Sequence, residues 1–173
     1  MANTDRPAGF APFGPLLRQR AYSVDSSNGT AIFINDVVMA EADGNIAPAT
    51  AASVTKLGSA INYIAVSTAT TTSAPAMVAD HPDQEYWVQD DGSQDPPSQA
   101  ELFQGADHAI GTGSTVTLLS GHELDLSNGG TSVGGFKILD SIRREDNDIT
   151  AVNADWRVIL NTGEGLLNVV TGV

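Results

Sequence analysis

Three histidines sit beside acids: His81 follows Asp80 and precedes Asp83 by two residues, His108 follows Asp107, and His122 precedes Glu123. A histidine with a carboxylate neighbour can act as a general acid or base, or hold a metal. Metal ligation needs converging ligands, often histidines two or four residues apart, and none of the three is spaced that way. They read as loop histidines of an acidic protein. Asp90, Asp91, Asp95 and Glu101 suggest calcium, but the alternating-aspartate loop with its glycine is missing and Pro96-Pro97 interrupts the run. Ser120-Gly121-His122 places a hydroxyl near an imidazole without the G-x-S-x-G setting of a nucleophile elbow. The glycines around 111–113 and 129–135 lack the lysine and following helix of a phosphate loop, and serve turns. The chain has no cysteine, which excludes thiol catalysis, disulfides and cysteine-based zinc sites. It reads as a binding or structural protein, with no enzymatic activity and no cofactor.

The elements that must position any site are strands. Tyr22–Val24, Thr30–Met39, Ala76–Ala79, Glu85–Gln89, Thr115–Leu119, His122–Leu126, Phe136–Ile142, Asp155–Leu160 and Leu167–Val170 are rich in β-formers or alternate. Tyr63–Val66 is β-like, and Ala47–Ser53 is small and featureless. Turn signals separate them: Asn28-Gly29, Asp43-Gly44, Asp90–Pro97, Asn128–Gly130 and Asn161–Gly163. Short strands at this spacing predict an all-β fold, an antiparallel sandwich or small jelly-roll-like barrel. Ser98-Gln99-Ala100-Glu101 has the capping-box form and predicts one helical turn ending at Gly105. Trp156, Val158 and Leu160 share one strand face, leaving Arg157 to pair with an acid of a neighbouring strand or subunit. Tyr86 and Trp87 occupy opposite faces, so one is exposed unless a neighbour covers it.

The first twenty residues differ from the rest. They hold Pro7, Pro12 and Pro15 together with Phe10 and Phe13, and proline forbids both a helix interior and a central strand. Residues 1–20 therefore read as an extended arm with apolar anchors, and 21–173 as one β-rich domain. The net charge is −13, and residues 57–136 hold ten acids without a single Lys or Arg. Such a block repels phosphate and predicts no nucleic-acid partner; it should form a solvated outer surface. No run of 18 apolar residues exists to cross a membrane, and the start lacks a signal peptide's apolar region, so the expected site of folding is a cytoplasm. The cations gather at the two ends, Arg6, Arg18 and Arg20 in the arm and Arg143, Arg144 and Arg157 near the C-terminus. Those ends are where a protein partner would dock.

Several segments resemble, in order, the small head proteins of tailed bacteriophages known as capsid cement or decoration proteins. The opening Met1-Ala2-Asn3, with Pro7, Gly9-Phe10 and Pro12, looks like their start. TAIFINDVV (30–38), VADHPDQEYWVQD (78–90), GTGSTVTLLSGHELDL (111–126) and ILDSIRREDNDITAVNADWRVIL (138–160) are similar to later segments of that family. The resemblance implies a β-rich fold with an extended arm. It also implies a dimer or trimer bound outside the shell of the major capsid protein, on the outer surface of the virion head, clamping capsomers against DNA pressure. It favours an arm that crosses to a sister subunit or the capsid floor, with Phe10 and Phe13 as anchors held straight by Pro7, Pro12 and Pro15. Deleting residues 1–20 is then expected to abolish docking and leave the domain folded. A carbohydrate-binding β-sandwich, with Tyr86, Trp87 or Trp156 as sugar platforms, is the alternative that the aromatic residues leave open.

Overall fold

The computed structural model describes residues 3–25, 29–53, 55–66, 75–93, 97–130 and 134–161. It is all-β, with two antiparallel sheets and a single 3-10 turn among these residues. The strands are β1 (Ala11–Pro12), β2 (Gln19–Tyr22), β3 (Val37–Ala40), β4 (Ile46–Pro48), β5 (Lys56–Ala60), β6 (Ala76–Ala79), β7 (Glu85–Gln89), β8 (Gly105–Ala109), β9 (Glu123–Gly130), β10 (Phe136–Ser141) and β11 (Asp155–Leu160). The first sheet has the order β1-β7-β11-β10-β8-β9 and the second β2-β6-β5-β3-β4. The first sheet curls, so that Asp90, just past β7, bridges Leu124 on β9.

Two apolar clusters hold these layers. One joins the inner face of the first sheet (Tyr86, Val88, Leu124, Phe136, Ile138, Trp156, Val158, Leu160) to Val37, Ala49 and Ala79. The other lies across the second sheet and contains Val24, Ile32, Val38, Ile46, Leu57, Ile64 and Val78. Neighbours on one strand thus divide between cores, Val37 from Val38 and Ala79 from Val78, as a period of two demands. A sheet buried on both faces shows no apolar–polar alternation. That is why β5, buried along its whole length, does not stand out in the sequence.

The arm is part of this frame. Antiparallel β1 pairs with β7, and β2 with β6, so residues 3–22 contribute a strand to each sheet. Two buried glutamines, one before β7 and one at its end, hold the arm's backbone. Gln89 accepts from the Arg6 N–H at 2.7 Å and donates to the Thr4 carbonyl at 3.0 Å. Gln84 accepts from the Leu17 N–H at 2.9 Å and donates to the Phe13 carbonyl at 3.2 Å. Asn3 is tied to Asp148, Ala151 and Val152. Gly9, at φ +73°, lies so near Asn35 that a Cβ would come within 2.4 Å of its carbonyl oxygen. This approach lets Phe10 enter the core, where it is fully buried and stacks on Phe136 at 4.3 Å. Removing residues 1–20 would strip a core aromatic, all of β1 and half of β2, so a folded domain is not the expected product. Gln89→Ala should cost ~1–3 kcal/mol, the usual penalty for stranding buried partners, and speed amide exchange at Arg6 without altering the far strands.

Several sequence expectations change. Thr115–Leu119 is a turn in which Ser114 Oγ accepts from the N–H groups of Val116 and Thr117. That local bonding overrides the β propensity of the segment, and only Leu119 bridges, to Ile34. The expected strand Thr30–Met39 is broken before Val37. Asn35 sits at φ +71°, and the Asp36 carboxylate takes the Phe33 N–H. The first domain strand is Gln19–Tyr22 rather than Tyr22–Val24. The featureless 47–53 stretch begins inside β4, and β8 was not anticipated. Tyr63–Val66 supplies one bridge, Ile64 to Ile32. Ser98 caps the Gln99–Glu101 turn as expected, accepting from the Ala100 N–H at 3.1 Å. The chain leaves that turn at Leu102, however, and Gly105 opens β8. The expected strand Leu167–Val170 and most of the Ser26–Gly29 turn lie outside the described residues.

Candidate docking surface

β1 is short because the chain leaves it at once. Phe13 N–H still reaches the Glu85 carbonyl at 2.8 Å, and Gly14 then turns at φ +73°, a backbone setting natural to glycine. Pro15 and Leu16 follow, and Leu17 is caught again by Gln84. The five residues Phe13–Leu17 thus form a knuckle pinned at both ends through one buried glutamine. Its side chains point outward: Phe13 is 39% exposed, Leu16 43% and Leu17 49%. An apolar surface held in a fixed conformation loses little entropy when a partner covers it, and contiguous exposed apolar patches mark interaction sites.

The strand face beside the knuckle carries its charged rim. The Arg157 guanidinium lies 5.7 Å from the centre of the Phe13 ring. Arg157 also pairs with Glu85 at 3.5 Å and Asp140 at 3.9 Å, on the strands either side of β11, which bears out the expected acid partner. Arg143 is highly exposed and approaches Asp140 at 3.5 Å. A recess of about 300 Å³ between Phe13, Ile142, Arg143 and Arg157 opens on one side of the ring. Another of about 310 Å³, between Phe13, Pro15, Leu17 and Asp83, opens on the other.

The structure therefore brings Phe13, Pro15, Arg143 and Arg157 onto one surface and places the other expected contacts elsewhere. Phe10 is an anchor, but in its own chain's core. Pro12 lies opposite Tyr86 in β1. Arg18 gives its Nε to the buried Asp80 carboxylate at 2.8 Å, Arg20 approaches the same group at 3.7 Å, and Tyr22 donates its hydroxyl at 2.6 Å. Burial, with the Asp80 carboxylate second, pushes the Tyr22 phenol above its ordinary value. Arg6 and Arg144 share Asp146, at 3.6 and 2.9 Å, away from the knuckle, while Pro7 is exposed. Leu16, Leu17 and Ile142 were missed. Two adjacent leucines after Pro15 were a usable signal, because consecutive strand residues cannot both face one core.

Two charge expectations also change. The acidic block is not uniformly solvated: Asp80 and Asp90 are buried on fixed donors. Asp90 accepts from the N–H groups of Gly92, Asn153 and Ala154 and from the Trp156 indole. Nor are all the histidines loop residues. His108, on β8, and His122, just before β9, are buried with ring centres 5.2 Å apart. Burial lowers both pKa values, that of His108 to about 3 with the neighbouring His122 adding to the effect. Among the described residues, no three histidine or acidic side chains converge to hold a metal. Tyr86 and Trp156 are buried in the core and cannot serve as sugar platforms, and the half-buried Trp87 has the Arg144 guanidinium 5.6 Å from its ring centre.

No protein-family model, curated protein or solved structure matches this chain. No helix among the described residues is long and apolar enough to cross a membrane.

Proposed function

We propose that this protein is a structural head protein of a tailed bacteriophage, a cement protein that docks on the outside of the major capsid protein shell through the Phe13–Leu17 knuckle. The observation that carries the reading is that knuckle, three large apolar side chains held outward between two backbone anchors. The ordered likeness of five sequence segments to the cement family points the same way. In this reading the arm acts as a rigid element of its own sandwich and presents its tip to the capsid. The chain acts as a homo-oligomer, and the Arg143 and Arg157 rim meets acidic or carbonyl groups on the shell.

Co-sedimentation with empty heads assembled from the capsid protein of the same genome tests this. The wild type should pellet with heads to saturation. Phe13→Asp with Leu17→Asp should reduce binding about a thousandfold, since two buried anchors at ~2 kcal/mol each are lost, while the melting midpoint stays near that of the wild type. A wild type that remains in the supernatant, or a variant that binds undiminished, would overturn the proposal.

A further inference from the structure

A second concavity lies away from the knuckle. It is an open groove of about 560 Å³ between the β4 edge of the second sheet and the Ile110–Gly113 segment that leaves β8. Phe33, Pro48 and Ile110 give it apolar walls, and Asp36, Glu41 and His122 supply its ionisable groups; no Lys or Arg is among its lining residues. Its size is in the range of small-ligand sites, which pair apolar walls with a few fixed polar groups.

The floor is a built arrangement. Asp36 and His122 are both buried. One Asp36 oxygen accepts the Phe33 N–H at 2.7 Å, and the other lies 3.6 Å from His122 Nε2. His122 Nδ1 accepts the Val37 N–H at 3.3 Å, which leaves Nε2 as the protonated nitrogen of the neutral ring, turned toward Asp36. The imidazole therefore does not cancel the carboxylate charge. Lys56, buried nearby in the fold, gives its ammonium to the carbonyls of Ala51 and Ser53. An added β-strand is not the fitting occupant of the β4 edge, because Pro48 has no N–H and the Ile46 N–H is already given to Ser23.

We propose that this groove binds an alkylammonium or alkylguanidinium group, with the Asp36 carboxylate at its floor, Glu41 at the other end of β3 adding negative charge to the groove, and Phe33, Pro48 and Ile110 covering the stem. Two carboxylates in a partly enclosed apolar setting favour a cation, and an aromatic wall adds attraction. The source of that chemistry is either a free amine or the side chain of a lysine or arginine on another protein. This site is independent of the knuckle, and its failure would leave the docking proposal standing.

Amide-resolved NMR titration of the full chain tests it, with n-butylammonium, n-butylguanidinium and 1-butanol as probes. The cations should cause saturable shifts at the Gly111, Thr112 and Gly113 amides, and butanol at equal concentration should not. Asp36→Asn should weaken cation binding about tenfold, the scale of one charge-assisted hydrogen bond, and Glu41→Gln, at a half-buried position, should weaken it by a smaller factor through loss of charge alone. Capped lysine and arginine amides give the second arm. Binding at least as tight as that of the simple amines assigns the site to a protein side chain, and weaker binding assigns it to a free amine. Absence of saturation by either cation, equal response to butanol, or unchanged affinity in both variants would overturn the proposal.

Discussion

Phe10→Ala is expected to lower folding stability by ~3–5 kcal/mol, the range for truncating a buried aromatic, whereas Phe13→Ala, three residues along, is expected to stay within about 1 kcal/mol of wild type. The two residues look alike in sequence: each is a phenylalanine beside a proline or glycine in the arm. Their surroundings separate them. Phe10 is fully buried, stacks on Phe136 at 4.3 Å and meets the His108 ring edge-on at 6.1 Å. Phe13 is 39% exposed, with the Arg157 guanidinium 5.7 Å from its ring centre. Chemical denaturation of the two variants measures the difference. Equal losses would mean that the arm does not pack as described. In the docking assay the order reverses, with Phe13 the sensitive position.

The second large effect is acid lability through His108. Its Nε2 lies 3.2 Å from the Ala49 carbonyl, and its Nδ1 is buried without a partner. Burial, then the neighbouring His122, hold its pKa near 3, below the ordinary value of 6.5. A histidine with a lowered folded pKa binds its proton more readily in the unfolded chain. Its contribution is therefore fully present above about pH 6.5 and is lost as the pH falls toward about 3, on the order of 3–5 kcal/mol over that window. Glu123 works the other way. Burial, with Asp5, Asp91 and Asp90 adding repulsion, pushes its carboxyl up to about 7, so folding gains stability as pH falls from 7 toward the unfolded carboxyl value of 4.5. The clean observable is a difference between variants. His108→Leu should gain on the wild type as the pH is lowered from 7.5 to 4, and Glu123→Gln should gain on it as the pH is raised from about 4.5 to about 7 and level off above that. A His108→Leu offset that does not change with pH would show that the imidazole is not held neutral by burial.

The sequence made some of this fold readable and hid the rest for physical reasons. β11 was legible because one of its faces is buried and the other is not. Trp156, Val158 and Leu160 point inward, and Arg157 points out to Glu85 and Asp140. β5 was not legible, because Lys-Leu-Gly-Ser-Ala is buried on both sides and contains a lysine and a glycine. Gly58 is required there: a Cβ would lie 2.0 Å from the Ala79 carbonyl oxygen. A buried lysine, like the buried pair His108 and His122, cannot be told from a surface residue by type or spacing. The arm was legible as extended and apolar, since prolines and aromatics declare both. What it lies on was not, because that depends on Gln84, Gln89 and Asn35, polar residues distant in sequence whose role is to satisfy its backbone. The exposed knuckle followed from the same cause. Once Gln84 and Glu85 fix Phe13 and Leu17, the residues between can only face outward.

A cryo-electron microscopy reconstruction of heads decorated with this protein tests the central claim most directly. Density for the sandwich is expected on the outer surface of the shell, with Phe13, Leu16 and Leu17 against the major capsid protein and Arg143 and Arg157 at the rim of the contact. Heads without that density after mixing with the protein, or a bound sandwich whose knuckle faces solvent, would contradict it.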